Sequence, residues 1–152
     1  MRKYVTCVYL VKSDEVCLGM KKRGFGAGLW NGTGGKIEEG ETPENGAKRE
    51  AKEEFNVELN NLENMGKILF IFKDGFEHEC SLFVCKDWKN EPSESEEMAP
   101  KWFKINNLPL NSMWDTDKSW LPKILDGKRI EATFYFNDDA KTVEKFNLKE
   151  LN

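Results

Sequence analysis

The sequence predicts an α+β fold in which a mixed β-sheet is sandwiched between α-helices. Segments rich in β-branched and aromatic residues dominate the chain, which favours strands over helices. Helix signals appear in only two segments, one near the middle of the chain and one towards its C-terminal end. With 152 residues, the chain is expected to form a single domain that spans residues 1–152.

The predicted strands share runs of β-forming residues that end at turn residues. They are residues 3–11, 16–21, 67–73, 79–88, 102–103, 129–136 and 142–148. Residues 19–36 are rich in glycine but also carry basic and aromatic side chains, which indicates a loop that approaches a ligand. Residues 60–64 are predicted as a polar connection because of their asparagines, and the acidic residues 91–98 as a loop.

The longer helix is predicted to begin at Thr42 and Pro43 and to run to about Phe55. Threonine is a good N-cap residue, and proline is favoured at the first helical position. A second, shorter helix is predicted over residues 118–125, ended by the Asp-Gly pair 126–127.

Composition excludes several classes of protein. The net charge of -4 and the pI of about 5.2 argue against a nucleic-acid partner, which usually requires a basic face. The sequence holds no run of 18 apolar residues, so no membrane span is expected. The four cysteines form no CxxC pair and no targeting signal is evident, which predicts reduced thiols and a cytoplasmic location. His78, the only histidine, is predicted to be a surface strand residue without a nucleophile motif beside it.

The longer helix carries an acidic face. Glu50, Glu53 and Glu54 fall within an arc of roughly 100°, where each pair of like charges costs a few tenths of a kcal/mol. Considered without its flanking residues, an acidic segment of this kind is ordinarily interpreted as a solvated surface helix. Hard divalent cations such as Mg2+ offset this repulsion by binding carboxylate oxygens. The neighbouring apolar arc, which would pack on the sheet, consists of Ala47, Ala51 and Phe55.

The longer spacing around this helix resembles the Nudix box, G-x5-E-x7-R-E-U-x-E-E-x-G-U. The matching residues are Gly35, Glu41, Arg49, Glu50, Glu53 and Glu54. The family's second glycine is Asn56 here, and asparagine tolerates the left-handed backbone expected at the end of the helix. The resemblance implies the Nudix fold and a hydrolase of nucleoside diphosphates linked to another group.

The resemblance also implies a metal-dependent site that uses Mg2+ or Mn2+. The predicted metal ligands are the carboxylates of Glu50, Glu53, Glu54 and Glu97 and the backbone carbonyl of Gly34. Arg49 is expected to orient the carboxylates and to pair with Glu41. The general base is either Glu54 or Glu97, and the sequence leaves this choice open.

The likeness extends over residues 6–148 to a subfamily of mammalian-type MutT homologues. These proteins convert 8-oxo-dGTP and 2-oxo-dATP to the monophosphate and pyrophosphate, which sanitises the nucleotide pool. The segments that carry the likeness are GMKKRGFGAG, ESEEM and MW-x-x-D-x-x-W. The implied substrate-binding residues are Thr6, Lys21, Phe25, Asn31, Gly34, Gly35, Lys36, Phe70, Trp114, Thr116, Asp117 and Phe136.

Several of these side chains suit a purine. Trp114 offers a flat face for stacking, and Asn31 offers a donor and an acceptor. Asp117 accepts hydrogen bonds, or donates one if burial raises its pKa. The subfamily has two adjacent aspartates where this chain has Thr116 and Asp117, and Glu79 stands about where the subfamily has an apolar pocket residue.

The leading hypothesis is a monomeric enzyme that acts on small-molecule purine nucleoside triphosphates, without nucleic-acid or membrane partners. A second hypothesis keeps the fold and metal chemistry but assigns other nucleotides, such as methylated or ordinary purine triphosphates or dinucleoside polyphosphates. A third, from a different class, is a non-catalytic nucleotide-binding module. It is disfavoured because all three glutamates of the box are intact.

Overall fold

The computed structural model describes residues 1–151, and within them it has eight strands in one mixed sheet and two α-helices. The elements in order are β1 (Arg2–Lys12), β2 (Glu15–Lys21), β3 (Trp30–Asn31), α1 (Pro43–Phe55), β4 (Glu58–Ile71), β5 (Glu77–Lys89), β6 (Met98–Lys104), α2 (Asp117–Leu125), β7 (Arg129–Phe136) and β8 (Val143–Leu151). Two short 3-10 turns, Ile105–Asn107 and Leu110–Ser112, connect β6 to α2. Neither described helix is both long and apolar enough to cross a membrane.

The strand order across the sheet is β3-β2-β1-β5-β4-β7-β8, and β6 pairs with β2. The β1–β5 and β4–β7 pairs are parallel, whereas the remaining pairs are antiparallel. The predicted mixed sheet is therefore confirmed.

The two helices cover opposite faces of the sheet. Val8 and Leu10 of β1 belong to the hydrophobic cluster that contains the apolar arc of α1. Tyr9 and Val11 belong to the other cluster, which contains the buried face of α2. Because both faces of β1 are covered, its residues from Cys7 to Val11 are all apolar instead of alternating with polar ones.

Helix α1 begins and ends as the sequence predicts. The Thr42 hydroxyl accepts a hydrogen bond from the Asn45 N–H at 3.1 Å, and Pro43 occupies the first turn. An N-cap of this kind stabilises a helix by about 1 kcal/mol. Asn56 adopts the left-handed conformation (φ 60°), and its N–H donates to the Lys52 carbonyl at 3.1 Å. Asparagine thus replaces glycine here at little steric cost.

Two strands begin four or more residues before their predicted starts. The polar stretch 60–64 is not a connection but part of β4, which begins at Glu58 and passes three register shifts before Gly66. Its buried Leu59 and Met65 and its pairing with β5 outweigh the low strand propensity of asparagine. Strand β6 likewise begins at Met98, four residues before the predicted position 102, because it pairs along the whole of β2.

Candidate active site

Part of the glycine-rich loop serves as an extra partner for β1. Strand β2 pairs with β1 only at Leu10–Lys12, which leaves the earlier half of β1 free on that side. Thr33 and Val8 exchange backbone hydrogen bonds of 2.7 and 3.0 Å there, and the Thr6 N–H donates to the Gly35 carbonyl at 2.9 Å. A Cβ atom on Gly34 would lie 2.0 Å from the Thr6 carbonyl oxygen, so only glycine fits.

This segment contacts the acidic face of α1 through Glu54. The Glu54 carboxylate accepts hydrogen bonds from the Thr33 hydroxyl at 2.7 Å and from the Gly34 N–H at 2.9 Å. Burial raises the pKa of Glu54 to about 7, although both hydrogen bonds favour the charged form. The pKa of Glu50 is also raised, first by burial and then by the nearby Glu53, against the opposing effect of Arg49.

Arg49 is the common partner of the acidic residues around α1. Its guanidinium contacts the Glu41 carboxylate at 2.8 Å, Glu50 at 2.9 Å and Glu53 at 3.5 Å. It also donates to the Lys36 carbonyl at 3.0 Å. The expected Arg49–Glu41 pair is therefore present, and it holds the pKa of Glu41 below its ordinary value.

The acidic face fits a hard divalent cation in the chemistry of its donors. The Glu50 carboxylate lies against Gly35. A Cβ atom on residue 35 would come within 2.4 Å of a Glu50 carboxylate oxygen, so the absence of a side chain at Gly35 leaves room for this carboxylate. Within residues 1–151, no three His, Cys, Asp or Glu side chains are already gathered as a metal-binding group. Arg49, Thr33 and Gly34 instead hold the carboxylate oxygens of Glu50 and Glu54.

The fourth predicted carboxylate, Glu97, lies on the loop that packs against the end of α1. The Ser95 hydroxyl donates to the Glu54 backbone carbonyl at 2.7 Å and accepts from the Glu97 N–H at 3.2 Å. The Glu97 side chain, 42% exposed, pairs with Arg23 at 2.6 Å. The Arg23 hydrogen bond holds the pKa of Glu97 below its ordinary value.

A cavity of about 260 Å3 opens beside the acidic face. All of the residues predicted to bind substrate line it, from Thr6 to Phe136, and so does Glu54. The remaining predicted catalytic residues lie outside its lining: they are Arg49, Glu50, Glu53 and Glu97. The structure therefore brings the predicted base-binding residues together and places them next to one end of the acidic face.

The mouth of the cavity is aromatic. Phe25 is 61% exposed, and its ring lies 4.8 Å from that of Trp114, centroid to centroid. A Cβ atom on Gly26 would approach Trp114 to 3.1 Å, so the loop lies close against the indole. Deeper in the cavity, the rings of Phe70 and Phe136 are 5.9 Å apart.

Asp117 supplies a buried carboxyl group to this cavity. It is 3% exposed, and one of its oxygens accepts a hydrogen bond from the Thr116 hydroxyl at 3.1 Å. The other oxygen, Oδ2, has no partner among the described residues, and burial raises the Asp117 pKa to about 7. Asp115 points away from the cavity: it accepts a hydrogen bond from the Val143 N–H and pairs with Lys118, both at 3.0 Å.

Two predictions on β5 are wrong because of strand alternation. Glu79 does not reach the cavity and pairs with Arg2 at 3.2 Å on the other side of the strand. Its neighbours His78 and Cys80 line the cavity instead, so His78 is partly buried and not a plain surface residue. The ring of Phe72 lies 5.1 Å from that of His78 and completes this wall.

Sequence reasoning also missed residues that hold the predicted ones in place. The Thr33 hydroxyl supports Glu54, whereas the Tyr9 hydroxyl and the Cys7 thiol approach the side-chain oxygen of Asn31 at 3.2 and 3.5 Å. Cys7 and Tyr9 share one face of β1, and this alternation was the available signal. Their contact with Asn31 depends on how the loop folds back, which no local pattern encodes.

Comparison with known proteins identifies the family. Residues 1–124 match the family model described as NUDIX domain. A Mus musculus protein named oxidized purine nucleoside triphosphate hydrolase is 41% identical over 148 residues, which cover 97% of this chain and 94% of the relative. A Danio rerio protein of the same name is 43% identical over 143 residues, 93% of this chain and 92% of the relative.

Solved structures agree with the fold. A crystal structure of a MutT protein from Bacillus halodurans has a TM-score of 0.81 at 27% identity, and the match covers 96% of this chain and 97% of that one. The chain therefore belongs to the NUDIX family of hydrolases, as its sequence predicts.

Proposed function

We propose that the protein hydrolyses oxidised purine (deoxy)nucleoside triphosphates, such as 8-oxo-dGTP and 2-oxo-dATP, to the monophosphate and pyrophosphate. The observation that carries this proposal is the single cavity that joins an aromatic recess containing Asp117 to Glu54 on the acidic face. The name shared by the mouse and zebrafish relatives supports the same class of substrate.

The aromatic end of the cavity suits an oxidised purine base. Stacking of the base on Trp114 is worth about 1–3 kcal/mol. The unpartnered Oδ2 of Asp117 is available to the base and accepts a hydrogen bond when ionised or donates one when protonated. Because the Asp117 pKa is raised to about 7, both forms are populated near neutral pH. An oxidised purine offers donors and acceptors that match both forms.

The acidic end of the cavity suits the phosphates. Bound Mg2+, for which Mn2+ is the alternative, would neutralise phosphate charge and lower the pKa of a water molecule there. Glu50, Glu53 and Glu54 are the residues that would hold it, and Arg49 orients Glu50. For the proton acceptor, Glu54 is better placed than Glu97, because Glu54 lines the cavity and Glu97 is paired with Arg23.

The range of substrates is expected to differ from that of proteins with two adjacent aspartates. Thr116 is 1% exposed and donates to Asp117, and its hydroxyl also accepts from the Trp120 indole N–H at 3.5 Å. A hydroxyl keeps the same protonation state at every relevant pH, so of these two residues only Asp117 can change its hydrogen-bonding role with pH. Sanitation of the nucleotide pool in the cytoplasm by a monomer without a nucleic-acid partner belongs to the same proposal.

The experiment is steady-state hydrolysis of 8-oxo-dGTP by Glu53→Gln with and without added Mg2+, with products separated chromatographically. The exposed Glu44 in the first turn of α1 provides the matched control, Glu44→Gln. We expect Glu53→Gln to lose at least about 100-fold in kcat and Glu44→Gln to keep full activity. Equal activity of both variants, or turnover independent of a divalent cation, would contradict the proposal.

A further inference from the structure

The two carboxylate oxygens of Glu54 have different surroundings. Oε1 accepts both hydrogen bonds that this carboxylate receives, from the Thr33 hydroxyl at 2.7 Å and from the Gly34 N–H at 2.9 Å. Oε2 accepts none from any residue that the structure describes. Among those residues only Thr6 Oγ1 and Asp117 Oδ2 are buried without a partner, so Oε2 is not sealed in the core. Because Glu54 lines the cavity, Oε2 is the oxygen that it offers there.

Thr33 is itself held in one place. It is 0% exposed, and its backbone N–H and carbonyl bond to Val8 of β1 at 3.0 and 2.7 Å. A β-branched side chain has few χ1 rotamers, so the fixed backbone also limits the direction of the hydroxyl. A site this buried would ordinarily hold an apolar residue, because a buried hydroxyl needs a hydrogen-bond partner. Glu54 is the only partner of the Thr33 hydroxyl among the described residues, and so it accounts for a threonine at this position.

We propose that Thr33 is a positioning residue, whose hydroxyl fixes Oε1 of Glu54 and thereby directs Oε2 towards a divalent cation bound at the acidic face. The inference rests on the proposed function, in which Glu54 helps to hold that cation. A carboxylate with a single donor can still rotate about its last bond, whereas two donors that converge on one oxygen fix the plane of the group. Thr33 lies outside the cavity lining, so it acts on the cation through Glu54.

The test is the affinity of the free protein for Mn2+ alone, measured from the electron paramagnetic resonance signal of unbound Mn2+. Thr33→Val removes the hydroxyl and keeps the shape of the side chain, whereas Thr33→Ser keeps the hydroxyl. We expect Thr33→Val to raise the Kd for Mn2+ about tenfold, because groups that hold a metal ligand typically contribute about 10- to 100-fold in affinity. Thr33→Ser should bind Mn2+ like the wild type. Equal Kd values for the two variants would overturn the proposal, and so would a wild type that binds no Mn2+.

Two controls separate positioning from a general structural effect. Thr133→Val removes a hydroxyl from β7, outside the cavity lining, and should leave the Kd for Mn2+ unchanged. In a double-mutant cycle, Thr33→Val should change the Kd less than about twofold when Glu54 is already glutamine, because Thr33 acts through Glu54. An effect of about tenfold that persists in the Glu54→Gln background would overturn the proposal.

Steady-state hydrolysis of 8-oxo-dGTP gives an independent readout. At a fixed, subsaturating Mg2+ concentration, Thr33→Val should lower kcat about tenfold and change KM for the nucleotide less than about twofold, because Thr33 does not line the cavity. Added Mg2+ should recover most of this loss, and a loss that excess Mg2+ leaves unchanged would contradict a role in cation binding. A wild type that fails to prefer 8-oxo-dGTP over dGTP would instead refute the proposed function, and the Mn2+ comparison would still decide the role of Thr33.

Discussion

The burial of Asp117 makes the stability of the protein depend on pH in a defined direction. Its carboxyl has a pKa of about 7 in the folded protein against an ordinary value of 3.8. Below pH 3.8 both states are protonated, so Asp117 imposes no penalty on folding. As the pH rises, the unfolded state ionises first, and the penalty grows until the folded carboxyl also ionises above about pH 7.

The perturbation that tests this is Asp117→Asn, which replaces the titrating group with a neutral one of the same size. One pKa unit corresponds to about 1.4 kcal/mol, so the full penalty on the wild type is about 4 kcal/mol above pH 7 and about 1–2 kcal/mol at pH 5. The stability of Asp117→Asn relative to wild type should therefore increase by about 2–3 kcal/mol between pH 5 and pH 8.

The assay is urea unfolding of both proteins at pH 5 and pH 8, followed by tryptophan fluorescence. Asp115→Asn, two residues away, is the matched control, and its stability relative to wild type should not change between pH 5 and pH 8, because the pKa of Asp115 lies below its ordinary value of 3.8. Lys118 and the Val143 N–H hold the pKa of Asp115 below its ordinary value, so its charge favours folding and that contribution is lost as the pH falls through the folded pKa. A stability difference for Asp117→Asn that does not change with pH would refute the reasoning.

Three further substitutions test separate parts of the site. Trp114→Ala should raise KM for 8-oxo-dGTP about 10- to 100-fold, because the base loses its stacking partner. Trp88 lies outside the cavity lining, so Trp88→Ala should leave KM unchanged. Equal KM values for the two variants would contradict the stacking role of Trp114. Gly34→Ala should lower the free energy of unfolding in urea by about 1–3 kcal/mol, because its Cβ would overlap the Thr6 carbonyl, and wild-type stability would show that the approach is not tight. Thr116→Asp should change the ratio of kcat/KM for 8-oxo-dGTP to kcat/KM for 2-oxo-dATP at least about fivefold. If the wild type hydrolyses both substrates with equal kcat/KM and Thr116→Asp leaves that ratio unchanged, residue 116 does not help to distinguish the bases.

Local signals were enough for the framework of the fold. Thr42, Pro43 and Asn56 define the ends of α1 through side-chain and backbone chemistry that depends only on neighbouring residues. The same held for β7, which runs over the predicted range Arg129–Phe136. The start of β4 was missed, because register shifts and pairing with β5 decide it and neither is visible in the segment itself.

The candidate site likewise has residues that the sequence predicts and contacts that only the folded structure reveals. The family spacing predicted the acidic residues of α1 and the residues that line the cavity, and the structure brings the latter together. Glu79, which the resemblance placed about where the subfamily has an apolar pocket residue, instead lies on the face of β5 away from the cavity and pairs with Arg2. The contacts of Tyr9 with Asn31 and of Thr33 with Glu54 join residues from different elements, so only the folded chain reveals them.

The central claim is that this cavity selects an oxidised purine and presents its triphosphate to the acidic face of α1. The most direct test is kcat/KM with Mg2+ for 8-oxo-dGTP, 2-oxo-dATP, dGTP and a dinucleoside polyphosphate, with products identified. We predict a preference for the two oxidised purines and release of pyrophosphate and monophosphate. A preference for dGTP or the dinucleoside polyphosphate, or release of inorganic phosphate, would contradict the account.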